Sequence, residues 1–185
     1  MKNIGIILLT FLLTLPLFSQ EEENTFSQNT PIRASTSSTT PYPSSIEVSG
    51  LPNYLAYIKV DLYSLAADFD LSVLDILLVA PNGEQVILMS DVNPNNDSEQ
   101  LPFISIDADA TRLIPRENFP PNTYNFLPTN IGATDIFPQV DTITQPNPTF
   151  EVLENTNPNG IWKLYVVYDE SIFSARIGSW SITID

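Results

Sequence analysis

The chain has 185 residues, with 22 Asp and Glu against 7 Lys and Arg, a formal charge of −15, and neither histidine nor cysteine. The missing imidazole excludes a Ser-His-Asp triad, a Cys-His pair and any histidine-ligated zinc. The missing thiol excludes thiolate nucleophiles, disulfides and iron–sulfur clusters. The acidic excess also excludes nucleic acid as a natural partner, because phosphate binding requires Lys and Arg in surplus. A binding module, a structural module or an enzyme working with carboxylates alone remain.

Residues 1–20 read as an export signal. Lys2 supplies a positive start, and Ile4 to Phe18 is apolar apart from Gly5, Thr10, Thr14 and Pro16, with the small Ser19 near the expected cleavage point. The apolar run is about fifteen residues, short of the roughly twenty that a spanning helix needs. The expected mature chain therefore has no membrane span and lies in the periplasm or outside the cell. It keeps 22 acidic and 6 basic side chains, a charge of −16. Export without cysteine leaves stability to the core or to a bound metal, and about 165 residues suffice for one core.

Residues 21–39 hold Glu21, Glu22 and Glu23 followed by Ser, Thr, Asn and Gln, with Phe26 and Ile32 as the large apolar exceptions. That composition predicts a disordered polar leader. From residue 40 onward the pattern is that of strands. Ile58, Val60 and Leu62 alternate with Lys59, Asp61 and Tyr63, the period of a half-buried strand. Asp75 to Ala80 is a short apolar run, Pro81-Asn82-Gly83 turns the chain, and Val86 to Leu88 leads back. Asn-Gly between two apolar runs predicts a hairpin with a type I′ turn. A second turn, Asn157-Pro158-Asn159-Gly160, opens a strand with Trp162, Leu164 and Val166 on one face and Lys163, Tyr165 and Val167 on the other. The last strand sets Trp180, Ile182 and Ile184 against Ser179, Ser181 and Thr183.

No window carries a helical period, and 16 prolines argue against helices. Seven of them fall between Thr111 and Pro148, which reads as a long excursion with two edge strands. Short strands between regular turn signals predict an all-β fold, a two-sheet antiparallel sandwich rather than a closed barrel.

Five segments in order resemble the P/Homo B domain, which follows the catalytic domain of subtilisin-like proprotein convertases and occurs in many bacterial secreted proteins. They are Thr40-Pro41-Tyr42-Pro43 with Ile46 to Leu51; Asp75 to Gly83 with Leu88-Met89-Ser90-Asp91; Thr123-Tyr124 with Pro128-Thr129-Asn130; Asn157 to Val167; and Gly178 to Ile184. The resemblance covers residues 40–185 and implies a sandwich of jelly-roll type, galactose-binding-like. It also implies a role in the folding or stability of a protease rather than proteolysis itself. The chain leaves no room for a subtilisin-like catalytic domain and has no histidine, so a non-catalytic accessory module is expected, its partner a secreted or surface protein such as a separate subtilisin-like protease. The family's acidic pair before the Ile-Leu-Leu strand appears here as Val73-Leu74-Asp75. Its Val-Val-Asp-Asp run appears as Val166-Val167-Tyr168-Asp169, and its Gly-Asp-Ser-Gly turn as Phe173-Ser174-Ala175-Arg176.

Calcium is the cofactor that the composition favours, since it takes oxygen ligands from acidic loops. The candidate ligands are Asp68 and Asp70 with Asp75; Asp91, Asn93, Asn95, Asn96, Asp97 and Glu99; Asp107 with Asp109; and Asp169 with Glu170. The same Asp and Asn residues also suit turns for their own backbone reasons. Trp162 and Trp180 are expected in the core. Tyr63 and Tyr165, on the opposite faces of their strands, are candidates for a partner or glycan surface, which makes an adhesive or carbohydrate-binding module the alternative function. A carboxylate-only hydrolase would need a pair such as those among Glu47, Glu84, Glu151 and Glu154, whose spacing in sequence reveals no such pairing.

Overall fold

A computed structural model of the chain describes residues 24–35, 38–68, 71–92, 99–116, 124–132, 134–141, 143, 145, 147–168 and 174–185. Among them the elements are β1 (Asn24–Gln28), β2 (Ile32–Ser35), β3 (Ser38–Thr40), β4 (Ser44–Val48), β5 (Ile58–Ala67), β6 (Leu74–Val79), β7 (Gln85–Ser90), β8 (Glu99–Asp107), β9 (Asn125–Phe126), β10 (Thr129–Asn130), β11 (Gly160–Tyr168), β12 (Ser174–Ile177) and β13 (Ser179–Ile184). Two 3₁₀ turns, Leu71–Val73 and Phe150–Leu153, are the helical elements among the described residues. The strands form two sheets packed as a sandwich. The first runs β1-β13-β5-β12-β2-β3, with β8 on the other edge of β5 and β9 beyond β8, and the second runs β10-β7-β6-β11-β4. The pairing is antiparallel except at β9 on β8 and β10 on β7, where the chain of the proline-rich excursion lies parallel to its neighbour.

β5 organises the first sheet. Along one edge it pairs with β8, and along the other it pairs first with β13, from Ile58 to Tyr63, and then with β12 at Ala66 and Ala67. Two strands share that edge because the chain bends between them at Gly178. The Gly178 N–H donates to the Tyr63 carbonyl at 2.8 Å. Ser64 opposite stands in the left-handed region at φ 51°. A Cβ on Gly178 would come within 2.9 Å of Ser64 Cβ and 3.2 Å of the Tyr63 carbonyl, so the backbones approach this closely only with glycine there.

The bend has a consequence for the segment expected as a leader. β12 offers its free edge to β2, which carries β3, while β13 offers its own to β1. Residues 24–35 and 38–40 are therefore strands of the sandwich and not a disordered leader. Ile32 and Ala34 are buried while Arg33 is exposed, and Phe26 packs on the core. A polar composition suffices because these strands satisfy their backbone on existing edges and need few apolar side chains.

The core lies between the sheets. Trp162 and Trp180 are fully buried, as alternation predicts. Each indole N–H has a partner, with Trp162 Nε1 donating to the Pro158 carbonyl at 2.8 Å and Trp180 Nε1 to Ser44 Oγ at 2.9 Å. The hairpin β6–β7 forms, but its turn is not type I′. Pro81 cannot adopt a positive φ, and of the turn residues Gly83 alone does, at 91°. Gly83 N–H bonds to the Ala80 carbonyl at 3.0 Å and Ala80 N–H to the Glu84 carbonyl at 2.9 Å, a type I turn followed by a glycine bulge.

Gly178→Ala should destabilise the fold by about 1–3 kcal/mol through overpacking. Adding Ser64→Gly, which removes both the opposing Cβ and the left-handed strain, should restore most of that in urea denaturation. An undiminished loss in the double variant would contradict the corner described.

Candidate functional site

The second sheet is covered on its outer side as well as its inner one. The excursion after β10 bridges Asp135 to Ile143 and lays Phe137 and Ile143 over Leu77 of β6, Ile87 of β7 and Tyr165 of β11. Tyr165 is accordingly 8% exposed and is not a surface aromatic, contrary to the expectation from alternation. Tyr42 meets its ring edge-on, 5.2 Å between centroids at 81°. The Tyr42 hydroxyl donates to the Pro138 carbonyl at 2.8 Å. Burial, and secondarily the neighbouring Tyr165 phenol, push the Tyr42 phenol up to about 12.

At the end of this sheet four polar side chains converge, three from separate strands and one from the excursion after β10. Asp75 of β6 is 3% exposed, Ser90 of β7 0%, Asn130 of β10 8% and Asp135 5%. Ser90 Oγ lies 2.6 Å from Asp75 Oδ1 and 2.6 Å from Asp135 Oδ1. Asn130 Nδ2 donates to Asp135 Oδ2 at 3.0 Å, while Asn130 Oδ1 is buried without a partner. Asp91, left-handed at φ 54°, sits just after Ser90 and presses its carboxylate against Gly132. A Cβ on Gly132 would stand 2.0 Å from Asp91 Oδ2 and 3.6 Å from Asn130 Oδ1.

The other sequence candidates are placed differently. Asp68 accepts from the backbone N–H and the hydroxyl of Ser174, at 3.1 and 2.6 Å. Asp107 accepts from Asp109 N–H at 2.8 Å and from Asn125 Nδ2 at 3.0 Å, a turn-forming use of both oxygens. Asp109 is exposed. Asp70, Asn93, Asn95, Asn96, Asp97, Asp169 and Glu170 lie outside the described residues, and Glu99 begins β8. Among the described residues no three His, Cys, Asp or Glu side chains gather as ligands of one metal. Glu47, Glu84, Glu151 and Glu154 are all exposed.

On the outward side of the first sheet Tyr63 of β5 faces Phe103 of β8 across the strands. They are 39% and 38% exposed. Tyr124 tilts against Phe103 with 4.9 Å between centroids. The adjoining register row is polar throughout, from Ser27 through Ser181, Asp61 and Ser105 to Asn125. Asp61 accepts from Ser105 Oγ and from the Tyr63 hydroxyl, and Ser181 Oγ is buried without a partner. Sequence reasoning found Tyr63 but missed Phe103, because Pro102 beside it hid the alternation of β8. It missed Asn130 and Asp135 because nothing local links them to Asp75.

Among the described residues no helix is long and apolar enough to cross a membrane. No protein-family model and no curated protein matches the chain, so the P/Homo B resemblance rests on the motifs alone. Among solved structures the chain is similar to the serine protease of Aeromonas sobria, at 15% identity with a TM-score of 0.44, over 87% of this chain and 26% of that one. It is similar likewise to the complex of that protease with the chaperone ORF2, at 15% identity with a TM-score of 0.43 and the same coverage. The chain thus spans about a quarter of the length of the structures it matches.

The raised Tyr42 value has a definite sign. The unfolded phenol loses its proton near its ordinary value of 10.0 and the folded one near 12. The contribution is complete below pH 10 and is lost as pH rises between those values. Alkaline titration followed by phenolate absorbance should show a late step that disappears in Tyr42→Phe. An unchanged curve would contradict the partly buried setting of Tyr42.

Proposed function

We propose that the chain is a secreted, non-catalytic interaction module that docks on a separate exported or surface protein. A subtilisin-like protease whose folding or stability it assists is the partner that the motif resemblance implies. The five strands of the second sheet all overlap motif segments, β4, β6, β7, β10 and β11 meeting four of the five and β13 the last. The observation that carries the binding reading is the cross-strand pair Tyr63 and Phe103, exposed on a sheet and braced by Tyr124. Aromatic side chains held rigid by strand pairing lose little entropy on docking, which is why they recur as anchors of interfaces. The chain's charge of −15 favours a partner with a basic surface around the apolar contact.

A second reading has its own observation. The same aromatics adjoin the row Ser181, Asp61, Ser105 and Asn125, and a sugar ring needs such a combination of stacking face and polar edge. A glycan-binding module would use Tyr63 with Phe103; the buried Tyr165 takes no part.

The immobilised exported chain should enrich one protein from the secreted and surface fraction of its source. The double variant Tyr63→Ala, Phe103→Ala should lose that partner by at least tenfold, roughly the loss of one or two interface anchors, with an unchanged unfolding midpoint. Retention on insoluble polysaccharide with the same mutational loss would select the glycan reading. Equal binding by wild type and double variant would remove this face from both.

A further inference from the structure

We infer that the outward side of the first sheet carries a carboxylate-binding subsite, the cross-strand pair Arg33 and Arg176, which orients the partner on the aromatic pair beside it. Arg33 of β2 and Arg176 of β12 stand directly opposite each other in the register. Both are exposed while their neighbours Ile32, Ala34, Ala175 and Ile177 are buried, so both side chains project from the same outer face. Like charges opposed on paired strands destabilise a sheet. The chain has 22 acidic residues and 7 basic ones, yet two of the basic ones face each other here.

Among the described residues no carboxylate relieves the pair. Asp68 lies two residues beyond Ala66, the β5 partner of Arg176, and on the same side. Its Oδ2 accepts from the N–H and the hydroxyl of Ser174 at 3.1 and 2.6 Å, and it forms no ion pair with either arginine. The positive charge is left open to a ligand. Ala66 pairs in turn with Gln100 of β8, and Tyr63 and Phe103 occupy the same two strands three residues away, about 10 Å at the rise of a strand. Leu62, Leu65, Leu101 and Ile104 of these strands are buried inward, so the aromatic pair and the arginine row share the outer side. Ser64, Ala66, Gln100, Pro102 and Arg176 line a cavity of about 420 Å³ between them. A guanidinium, a hydroxyl and a side-chain amide can all donate there to an anionic oxygen.

The chemistry selects the ligand. A guanidinium is planar, always charged and presents its N–H groups as a fork that matches a carboxylate. Side chains directly opposed on neighbouring strands start about 5 Å apart, close enough for two forks to share one carboxylate. The charge of −15 repels a polyanion such as an acidic polysaccharide. A single Asp or Glu on an otherwise basic protein surface meets the arginines without that repulsion. The ligand is therefore a side-chain carboxylate of the protein that docks on Tyr63 and Phe103. This assignment rests on the docking reading and adds a direction to it: the aromatic anchors supply affinity, and a basic spot on an acidic protein fixes which way the partner lies.

Side-chain NMR tests the subsite without the partner. The chain has four arginines, Arg33, Arg112, Arg116 and Arg176, so the Nε–H resonances of the ¹⁵N-labelled protein can be assigned with single Arg→Lys variants. The probe is the capped peptide Lys-Lys-Glu-Lys-Lys, with Lys-Lys-Gln-Lys-Lys as its neutral-centre control. The Glu peptide should shift Arg33 and Arg176 beyond anything the Gln peptide does and leave Arg112 and Arg116 in place. Arg176→Gln should weaken binding of the Glu peptide about threefold, the usual worth of an exposed ion pair, and Arg176→Lys, which keeps the charge, by less. Neither variant should lower the urea midpoint, since removing one of two like charges relieves the sheet. Shifts no larger than with the Gln peptide, or equal at all four arginines, would overturn the subsite. A lowered midpoint in Arg176→Gln would overturn it too, by making the pair structural. Failure here removes the arginine subsite alone, whereas retention of the partner by the aromatic double variant removes the docking face.

Discussion

The sandwich depends on how closely two backbones meet at Gly178. One edge of a strand ordinarily serves one neighbour, yet β5 serves β13 and β12 in succession because the chain folds past Ser64 without a side chain in the way. Two further free edges follow, and each would present unpaired backbone groups to solvent if left uncovered. The N-terminal strands cover them, β2 on β12 and β1 on β13. Additional ties hold them: Thr25 and Thr183 hydroxyls meet at 2.9 Å, and Gln28 Nε2 reaches the Ser45 carbonyl of the second sheet at 3.1 Å.

A different device closes the second sheet. Its outer face carries Leu77, Ile87 and Tyr165, a surface too apolar to be left in water. The proline-rich excursion supplies Phe137 and Ile143 as a lid, and Gln145 pins it by accepting from Ile87 N–H at 3.0 Å and donating to the Gln85 carbonyl at 2.9 Å. Where the excursion leaves β10 it brings Asp135 to Asp75 and Ser90. The buried polar cluster is thus a product of covering the sheet, and its two carboxylates are held close by strands that have apolar reasons to be where they are.

The sequence made some of this plain. Period-two alternation located β5, β11 and β13 and put Trp162 and Trp180 inward, since both signals are local and long enough to read. The proline-rich stretch yielded its two edge strands, β9 and β10. Alternation failed for Tyr165 because it assumes a bare outer face, and the cover comes from a segment with no period of its own. The N-terminal strands were hidden for a related reason. Ile32 and Ala34 are buried on either side of Arg33, but three residues amid Ser and Thr cannot outweigh a polar composition. Of the buried polar cluster, Asp75 was singled out from sequence and Asp135 and Asn130 were not, since convergence of side chains up to 60 residues apart leaves no local trace.

The exposed aromatic pair and the buried polar cluster belong to separate sheets and ask different things of the fold. The aromatic pair needs a flat, rigid sheet, and the polar cluster needs a fastened excursion. Both follow from a sandwich in which the N-terminal segment is an integral part, the claim on which the account turns. Hydrogen exchange of the chain, read peptide by peptide, tests it most directly. Amides of β1 and β2 should exchange as slowly as those of β12 and β13, because they share one ladder and open with it. Complete exchange of residues 24–35 at the earliest time, with β5 and β13 protected, would return that segment to a leader and contradict the account.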